Sequence, residues 1–422
     1  MQSLIQKLKL IFGDSTLRTR LIFTLVILGL SRFLAAIPIP TVDPLRLEGL
    51  LSNQFFGLLN IFSGSGLSNL SIVMLGVGPY ITASIIMQLL TMMSPKLKAM
   101  YHEEGEAGRL KFTQISRLIT VPLAIIQGWS FLILLSRQGI IMPPGLFDSI
   151  TSVAVIVAGS MLLMWLGELI TEFGIGNGVS LLIFAGIVAS LPTQTAQLLY
   201  LFDPSQIPIY IGFIGVALLV IWGVVVVTEA ERPIPVTYAR RVRGQKVYGG
   251  VSTYLTLRVN QAGVIPIVFA LSFLLLPQMG LSFLATVPNS LVQEVSAFLL
   301  SVLSNNWLYA LLYFILVFLF TYFYTAVTFD PDAISGNLQK NGAFIPGVRP
   351  GRPTAEYVSK VLTRITLVGA LFLGFIAVLP LAMRAVTNIQ SLAIGGTALL
   401  IVVSVVLDFI KKIEAQITMR EY

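Results

Sequence analysis

Ten apolar stretches divide this chain, and its basic residues fall almost entirely in alternate segments between them. Of the 27 Lys and Arg residues, all but Arg32, Arg46, Arg137 and Arg384 lie in segments that would share one face of a membrane. A polytopic membrane protein keeps Lys and Arg at the cytoplasmic ends of its spans, whereas a soluble protein has no reason to sort charge this way. The pattern predicts a multi-pass membrane protein with both termini in the cytoplasm.

A transmembrane helix needs about 20 mostly apolar residues. The predicted spans are residues 17–37, 71–92, 118–135, 151–170, 179–199, 209–228, 261–281, 307–328, 365–383 and 392–410. Five spans lie on each side of the middle of the chain, a common plan for membrane conduits built from two inverted halves. We therefore predict an all-α membrane protein of ten transmembrane helices, with halves at residues 1–199 and 200–422.

The reactive side chains are few. The chain has no cysteine and a single histidine, His102, which excludes disulfides, Cys-His zinc sites, Fe–S clusters and thiol catalysis. His102 is next to Glu103 in a loop, without an HExxH motif. We expect no enzymatic activity, no metal and no cofactor.

An apolar segment at residues 54–69 is interrupted by glycine and is too short to cross a membrane. Irregular backbone at membrane depth persists only where protein or a water-filled cavity satisfies its polar groups. The segment is either a half-inserted helix beneath a cavity or an interfacial loop helix.

The predicted spans carry almost no ionisable residue near their centres. Glu168 and Asp408 are close to cytoplasmic span ends, and ion-coupled carriers normally bury such groups at mid-depth. A conduit lined only by aliphatic side chains can close by excluding water. Spacing alone does not separate lining residues from lipid-facing ones. The glycine-rich connection at residues 170–180 is either a tight turn or an anion-binding loop.

Two long basic loops, near residues 229–259 and 329–364, are predicted on the cytoplasmic face. In the first, residues 234–238 and 254–259 alternate between apolar and polar as strands do, so we predict a hairpin with its basic cluster at the tip. In the second, Pro and Gly surround Arg349 and restrict the backbone, which lowers the entropy lost on binding. Such loops suit RNA phosphates or protein carboxylates, although anionic lipid or orientation alone could also explain them.

Ordered motifs along nearly the whole chain resemble the SecY family, whose bacterial members form the pore of the Sec protein translocase. They are IPIP (37–40), NIFSG (60–64), GPYITASIIMQLL (78–90), EGEAGR (104–109), MWLGELITEFGIGNG (164–178), IFAGIVA (183–189), YARRVRGQKVYGG (238–250), VNQAGVIP (259–266), GAFIPGVRPG (342–351), LTRITLVGA (362–370) and GGTALLIVV (395–403). The resemblance implies a clamshell channel that passes unfolded secretory polypeptides with signal sequences and releases apolar segments sideways into membrane lipid.

The resemblance also assigns roles to individual residues. The pore ring falls on Val77, Ile81, Ile183, Ile187, Val268 and Ile401. The plug helix, near residues 55–69, includes Leu58, Ile61, Phe62, Gly64 and Leu67. The lateral gate lies between the second and third spans and the seventh and eighth, with Thr82, Gln88, Thr91 and Asn260 along it. The docking residues are Arg240, Arg241, Arg243, Lys246 and Arg349.

The implied partners are the small membrane subunits SecE and SecG, the motor ATPase SecA, and the ribosome. The implied location is the bacterial inner membrane, or a thylakoid membrane in a photosynthetic source. The chain departs from the family at Ser65, where a second glycine is usual, at Pro233, where a basic residue is common, and in its short C-terminal segment. The alternative hypotheses are a secondary transporter, which would need a polar site at mid-membrane, and an intramembrane enzyme.

Overall fold

Long apolar helices dominate the computed structural model. It describes residues 13–39, 67, 70–102, 104–137, 145–200, 207–238, 241–243, 246–248, 252–285, 289–387 and 390–421. The helices of this part of the chain are α1 (Ser15–Ala35), α2 (Gly78–Met93), α3 (Pro95–His102), α4 (Gly105–Arg137), α5 (Leu146–Phe173), α6 (Gly178–Tyr200), α7 (Ile207–Glu229), α8 (Ile265–Leu284), α9 (Ser290–Ser304), α10 (Asn306–Thr328), α11 (Pro331–Lys340), α12 (Arg352–Thr387) and α13 (Gln390–Glu421).

A helix overlaps each of the ten predicted spans. Within the described ranges, five segments are long and apolar enough to cross a membrane by length and composition, namely Gly105–Ser136, Leu146–Phe173, Tyr210–Glu229, Asn306–Lys340 and Arg352–Met383. An all-α membrane protein is therefore confirmed, while the count of ten crossings stays a prediction.

The second predicted span begins later than expected. Residues 71–77 form successive turns, and α2 starts only at Gly78. Gly76 has a φ of 59°, outside the helical region, and Pro79 at the helix start has no N–H to donate to a preceding turn. At 1.5 Å per residue the 16 residues of α2 span about 24 Å, less than the roughly 30 Å hydrocarbon core.

A small sheet outside the helical body joins the two basic loops. Strands β1 (Glu231–Tyr238) and β4 (Ser252–Arg258) pair antiparallel from Glu231 with Arg258 to Thr237 with Ser252. Strands β2 (Arg241–Arg243) and β3 (Lys246–Tyr248) continue the hairpin as a separate two-stranded ladder, so the predicted hairpin is confirmed. The third strand of the sheet, β5 (Ala343–Phe344), comes from the second loop and pairs with β1.

This sheet has its own apolar core, separate from that of the helices. Ile234, Val236 and Leu257 pack with Ala343, Ile345 and Val358. Val358 belongs to α12, which begins 13 residues before the predicted ninth span. The first turns of α12 therefore pack on the core of the sheet. The sheet is therefore fixed to a long helix that continues into the membrane-spanning region.

The helices share one large apolar core that crosses between the two halves of the chain. Helix α8 of the second half packs on α2 and α4 of the first, and α13 packs on α6. The connection between α5 and α6 is a tight turn, as one alternative predicted. Its Ile175 N–H donates to Thr24 Oγ1 of α1 at 3.2 Å, and Asn177 Oδ1 caps α6 by accepting from Ser180 N–H at 3.2 Å. These amides have partners inside the protein.

Candidate functional site

The six aliphatic residues of the expected constriction come from two helices of each half. Val77 and Ile81 are at the start of α2, Ile183 and Ile187 are on α6, Val268 is on α8 and Ile401 is on α13. Five of them expose no more than 6% of their surface, and the half-buried Val268 packs against the same apolar cluster. The ring residues are thus packed among apolar neighbours in this structure, as a closed constriction requires.

The turns before α2 hold Val77 in place. The Ser160 hydroxyl of α5 donates to the Gly76 carbonyl oxygen at 3.0 Å, and both Ser160 and Val77 are buried. Val77 caps the helix, and its carbonyl accepts from Ile81 N–H at 3.0 Å. Because α5 is a continuous 28-residue helix, it gives these turns a rigid backing.

Most of the expected plug lies outside the described residues, namely Leu58, Ile61, Phe62 and Gly64. Leu67 is described, exposes 1% of its surface and belongs to the cluster that contains the ring. The chain after it pairs with the end of the first predicted span, through Ile39 N–H to Leu70 O at 2.9 Å and Ile72 N–H to Ile37 O at 3.0 Å. The chain that follows the plug segment is therefore hydrogen-bonded to residues next to the ring.

The four expected gate residues bond within their own segments. The Thr82 hydroxyl donates to Gly78 O at 3.0 Å, and the Thr91 hydroxyl donates to Gln88 O at 2.6 Å. The Asn260 amide donates to Gly263 O at 3.2 Å, while its Oδ1 and the Oε1 of Gln88 are buried and have no hydrogen-bond partner among the described residues. Threonine in a helix readily bonds the carbonyl of its own preceding turn, as Thr82 and Thr91 do here.

Aromatic side chains join α8 to α10. Phe269 and Phe273 of α8 meet Phe320 of α10 edge to face, with ring centroids 6.0 and 5.8 Å apart, and Phe269 also meets Tyr324 at 6.1 Å. Edge-to-face pairs are favourable contacts of about 0.5–1.5 kcal/mol beyond the area they bury. Helices α8 and α10 therefore form a stable pair.

A cavity of about 280 Å³ opens one helical turn from the ring. Ser180 lies three residues before Ile183, and Ser404 lies three residues after Ile401, so the cavity wall continues directly into the constriction. Its polar and charged lining includes Asn177, Ser180, Thr228, Arg258, Asn260, Gln261, Tyr324, Ser404, Asp408, Lys411 and Lys412. Water can hydrogen-bond to such a lining. The cavity also adjoins strand β4, which leads to the basic loops.

The expected docking residues lie in or beside the small sheet. Arg241, Arg243 and Lys246 are in the short strands β2 and β3, while Arg240 is outside the described residues. Arg349 is exposed, and its carbonyl oxygen accepts from the Thr354 hydroxyl at 2.8 Å. The neighbouring Gly347 and Gly351 have φ of 82° and 94°, which glycine adopts without strain.

The backbone around Arg349 is therefore held in one conformation. Because β5 pairs with β1, the loop of Arg349 is joined to the base of the hairpin, whose basic residues lie in the separate β2–β3 ladder. The sequence did not predict this pairing, since the two-residue strand β5 carries no periodic signal. The sequence also did not predict which residues line the cavity, although its polar residues can be recognised at the ends of apolar spans. No group of three or more His, Cys, Asp or Glu side chains that could hold a metal occurs in the described part of the chain.

Comparison with known proteins gives the same family over nearly the whole chain. A family model described as SecY matches residues 71–410. Protein translocase subunit SecY of Mycobacterium bovis is 43% identical over 428 aligned residues, which cover 96% of this chain and 96% of the relative. The subunit of the same name from Corynebacterium glutamicum is 41% identical over 438 residues, with 97% of each chain covered.

Solved structures share the fold at low sequence identity. One described as the structure of a protein conducting channel has a TM-score of 0.64 at 19% identity, covering 94% of this chain and 92% of that one. A structure described through its SecY plug domain, which stabilizes the closed channel, has a TM-score of 0.66 at 19% identity and the same coverage. Sec61 in a canine ribosome-channel complex has a TM-score of 0.60 at 17% identity.

Proposed function

This chain belongs to the SecY family of protein translocase subunits, and we propose that the six buried aliphatic residues form the constriction of its polypeptide channel. The protein is a multi-pass membrane protein whose function is to pass unfolded polypeptides across the membrane. One observation carries the assignment of the constriction. Two helices from each half bring Val77, Ile81, Ile183, Ile187, Val268 and Ile401 into one apolar cluster beside a polar cavity.

The physical need for such a site follows from the substrate. An unfolded chain cannot cross hydrocarbon, because each unpaired backbone group costs several kcal/mol there. The channel must supply water on both sides of a thin seal. The polar cavity is one such vestibule, and the aliphatic ring seals against a moving chain without specific hydrogen bonds, so it accepts any sequence. Leu67 is packed in the cluster of the ring, and we propose that the segment leading to it acts as the plug of the resting channel.

The lateral gate is the contact of α8 with α2 and α4. Apolar segments leave through it because their transfer into lipid is favourable. No hydrogen bond of Thr82, Gln88, Thr91 or Asn260 that crosses this contact is found among the described residues. Apolar packing therefore holds the gate closed, and the unpaired amide oxygens of Gln88 and Asn260 favour hydration when it opens.

The small sheet is the docking surface for cytoplasmic partners. Arg349 and the cluster of Arg240, Arg241, Arg243 and Lys246 offer positive charge to the carboxylates of the motor SecA and to ribosomal RNA phosphates. SecE and SecG are the membrane subunits that brace the two halves. The chain resides in the bacterial inner membrane, or in a thylakoid membrane, with both termini in the cytoplasm. The proposed function requires neither a catalytic role nor a cofactor.

The secondary transporter is not supported, since the relatives are protein translocase subunits. The energy source is external, because the chain contains no GxxxxGK[ST] phosphate-binding motif.

Polar substitution of the ring tests its role. Ile187→Asn should let ions leak through reconstituted vesicles and should allow export of precursors with defective signal sequences, because a hydrated ring no longer excludes water. Val188→Asn is the matched control, since Val188 is the next residue of α6 and is 39% exposed. Unchanged ion conductance and unchanged export of defective precursors in Ile187→Asn would refute the ring assignment.

A further inference from the structure

Helix α9 connects α8 to α10 at the ends of these helices that are remote from the β sheet. It starts with Asn289, whose Oδ1 accepts from Leu291 N–H at 3.1 Å. It ends at Ser304, and the single residue Asn305 then caps α10 by accepting from Trp307 N–H at 3.1 Å. Such a short connection leaves α9 no freedom to move away from the start of α10.

The surface of α9 divides into three faces. One face packs on the protein through the buried Ser296 and the half-buried Val292 and Leu303. The second face is polar and exposed, with Ser290, Gln293, Glu294 and Ser301. The third face is apolar and exposed, and it consists of Leu291 (71% exposed), Val295 (57%), Phe298 (66%) and Leu299 (39%).

The spacing of the apolar face is that of an amphipathic helix. Leu291, Val295, Phe298 and Leu299 recur at intervals of three to four residues, so they form one continuous stripe beside the protein-facing side. Contiguous apolar surface of this kind marks an interaction site rather than random surface hydrophobicity.

The position of α9 determines what meets this stripe. Helix α10 lies in a segment long and apolar enough to cross a membrane, and the apolar α8 has 20 residues, about 30 Å at 1.5 Å per residue, so α9 lies at the membrane surface where the two helices end. Trp307, directly after the connection, is 74% exposed, and tryptophan is enriched at membrane–water interfaces. The polar face, on the other side of the stripe from the packed face, is then directed to water.

We propose that α9 is an in-plane interfacial helix whose apolar stripe is inserted into the lipid leaflet remote from the β sheet. Glu294 is the only ionisable residue of α9, so the helix has no cation to attract anionic headgroups. Insertion rests on apolar contact alone and does not depend on anionic lipid.

This placement has a consequence for the gate. Helix α9 packs on both α8 and α10, the two helices that form the second half's side of the proposed gate. An α9 inserted in lipid anchors α8 and α10 at one membrane surface. The opposite ends of α8 and α10 lead to the β sheet. The leaflet thereby opposes tilting of the pair and contributes to the closed state.

Spin labelling tests the placement, and the cysteine-free chain makes single-cysteine variants directly usable. Val295→Cys and Phe298→Cys place the label on the stripe, and Glu294→Cys and Ser301→Cys are matched controls on the polar face of the same helix. The full chain, in its complex, is reconstituted in phosphatidylcholine vesicles with and without phosphatidylglycerol. Label accessibility is measured with oxygen, which partitions into lipid, and with a water-soluble nickel chelate. Retained export activity identifies the variants that have folded.

The proposal expects labels at 295 and 298 to be accessible to oxygen and protected from nickel, and labels at 294 and 301 to show the reverse. Phosphatidylglycerol should change neither pattern. Nickel access at 295 and 298 would place the stripe in water and overturn the proposal. Protection of both positions from both reagents would show that a protein covers the stripe, which would also overturn it.

Discussion

Gly159 of α5 lies directly against the main-chain carbonyl of Ile72, so closely that a β-carbon at position 159 would overlap the carbonyl oxygen. The next residue, Ser160, donates to the Gly76 carbonyl oxygen at 3.0 Å. The two contacts hold the turns at residues 71–77 against a rigid helix. Since Val77 follows these turns immediately, the position of a proposed ring residue depends on a glycine in another helix.

Gly159→Ala should therefore destabilise the protein and disturb the seal. The overlap involves main-chain atoms, which cannot rotate away, and overpacking of this kind costs about 1–3 kcal/mol. We expect a lower melting temperature in detergent and a measurable ion leak in vesicles. Gly128→Ala on α4 is the control, because its β-carbon would meet only side chains at 3.6–3.9 Å. Equal melting temperatures for the two variants would contradict the close approach.

Gln88→Leu should make the gate harder to open. A buried amide oxygen without a partner destabilises the closed state by about 1–3 kcal/mol, and leucine removes it at similar volume. Since 1.4 kcal/mol changes an equilibrium tenfold, export of precursors with weakly apolar signal sequences should fall by roughly tenfold.

Thr82→Val provides the comparison for the gate. Among the described residues the Thr82 hydroxyl bonds the Gly78 carbonyl of its own helix, so its loss should leave export nearly unchanged. A larger defect in Thr82→Val than in Gln88→Leu would show that the threonine, and not the unpaired amide, governs opening.

Arg349→Glu should abolish motor-driven export without harming the fold. The side chain is exposed, and the backbone around it is held by the Thr354 hydroxyl and two glycines rather than by its charge. Arg352→Glu introduces the same change of charge three residues away, at an 89% exposed side chain that pairs with Glu356 at 3.4 Å. Export assays with normal membrane levels of both variants should show a defect only at position 349. Normal export in Arg349→Glu would refute its docking role.

A disulfide between positions 237 and 344 should form readily and leave export intact. Thr237 and Phe344 are directly opposed on β1 and β5, and opposed antiparallel residues have Cα atoms about 4.5–5.5 Å apart, within disulfide range. Locking them changes nothing if the two basic loops already form one rigid sheet. The pair Val236→Cys with Phe344→Cys should oxidise poorly, because a shift of one residue turns the side chain to the other face. Export that stops on oxidation of the 237–344 pair would contradict a rigid docking sheet.

The alternation of apolar and polar residues was enough to predict the β1–β4 hairpin, because Ile234 and Val236 face the same core as Leu257. Charge sorting and apolar length likewise predicted where helices occur. The late start of α2 had a visible signal in Gly76, Gly78 and Pro79, but the apolar run through residues 71–77 outweighed it.

Other features depend on contacts between distant segments, which local patterns do not contain. Strand β5 is two residues long and exists through its pairing with β1. Helix α9 was missed because its 15 residues are too short and too polar on one face for a span. The local bonding of Thr82 and Thr91 could not be separated from bonding across the gate, since both use the same hydroxyls.

The central claim is that translocating polypeptide passes through the aliphatic ring. A photo-crosslinking residue at Ile183, which is 4% exposed, tests it most directly, with the same residue at the 62% exposed Leu218 of α7 as the control. With a precursor stalled halfway through the membrane, position 183 should capture the precursor, while position 218 should capture lipid. Lipid adducts alone at position 183, or equal capture of precursor at both positions, would contradict the account.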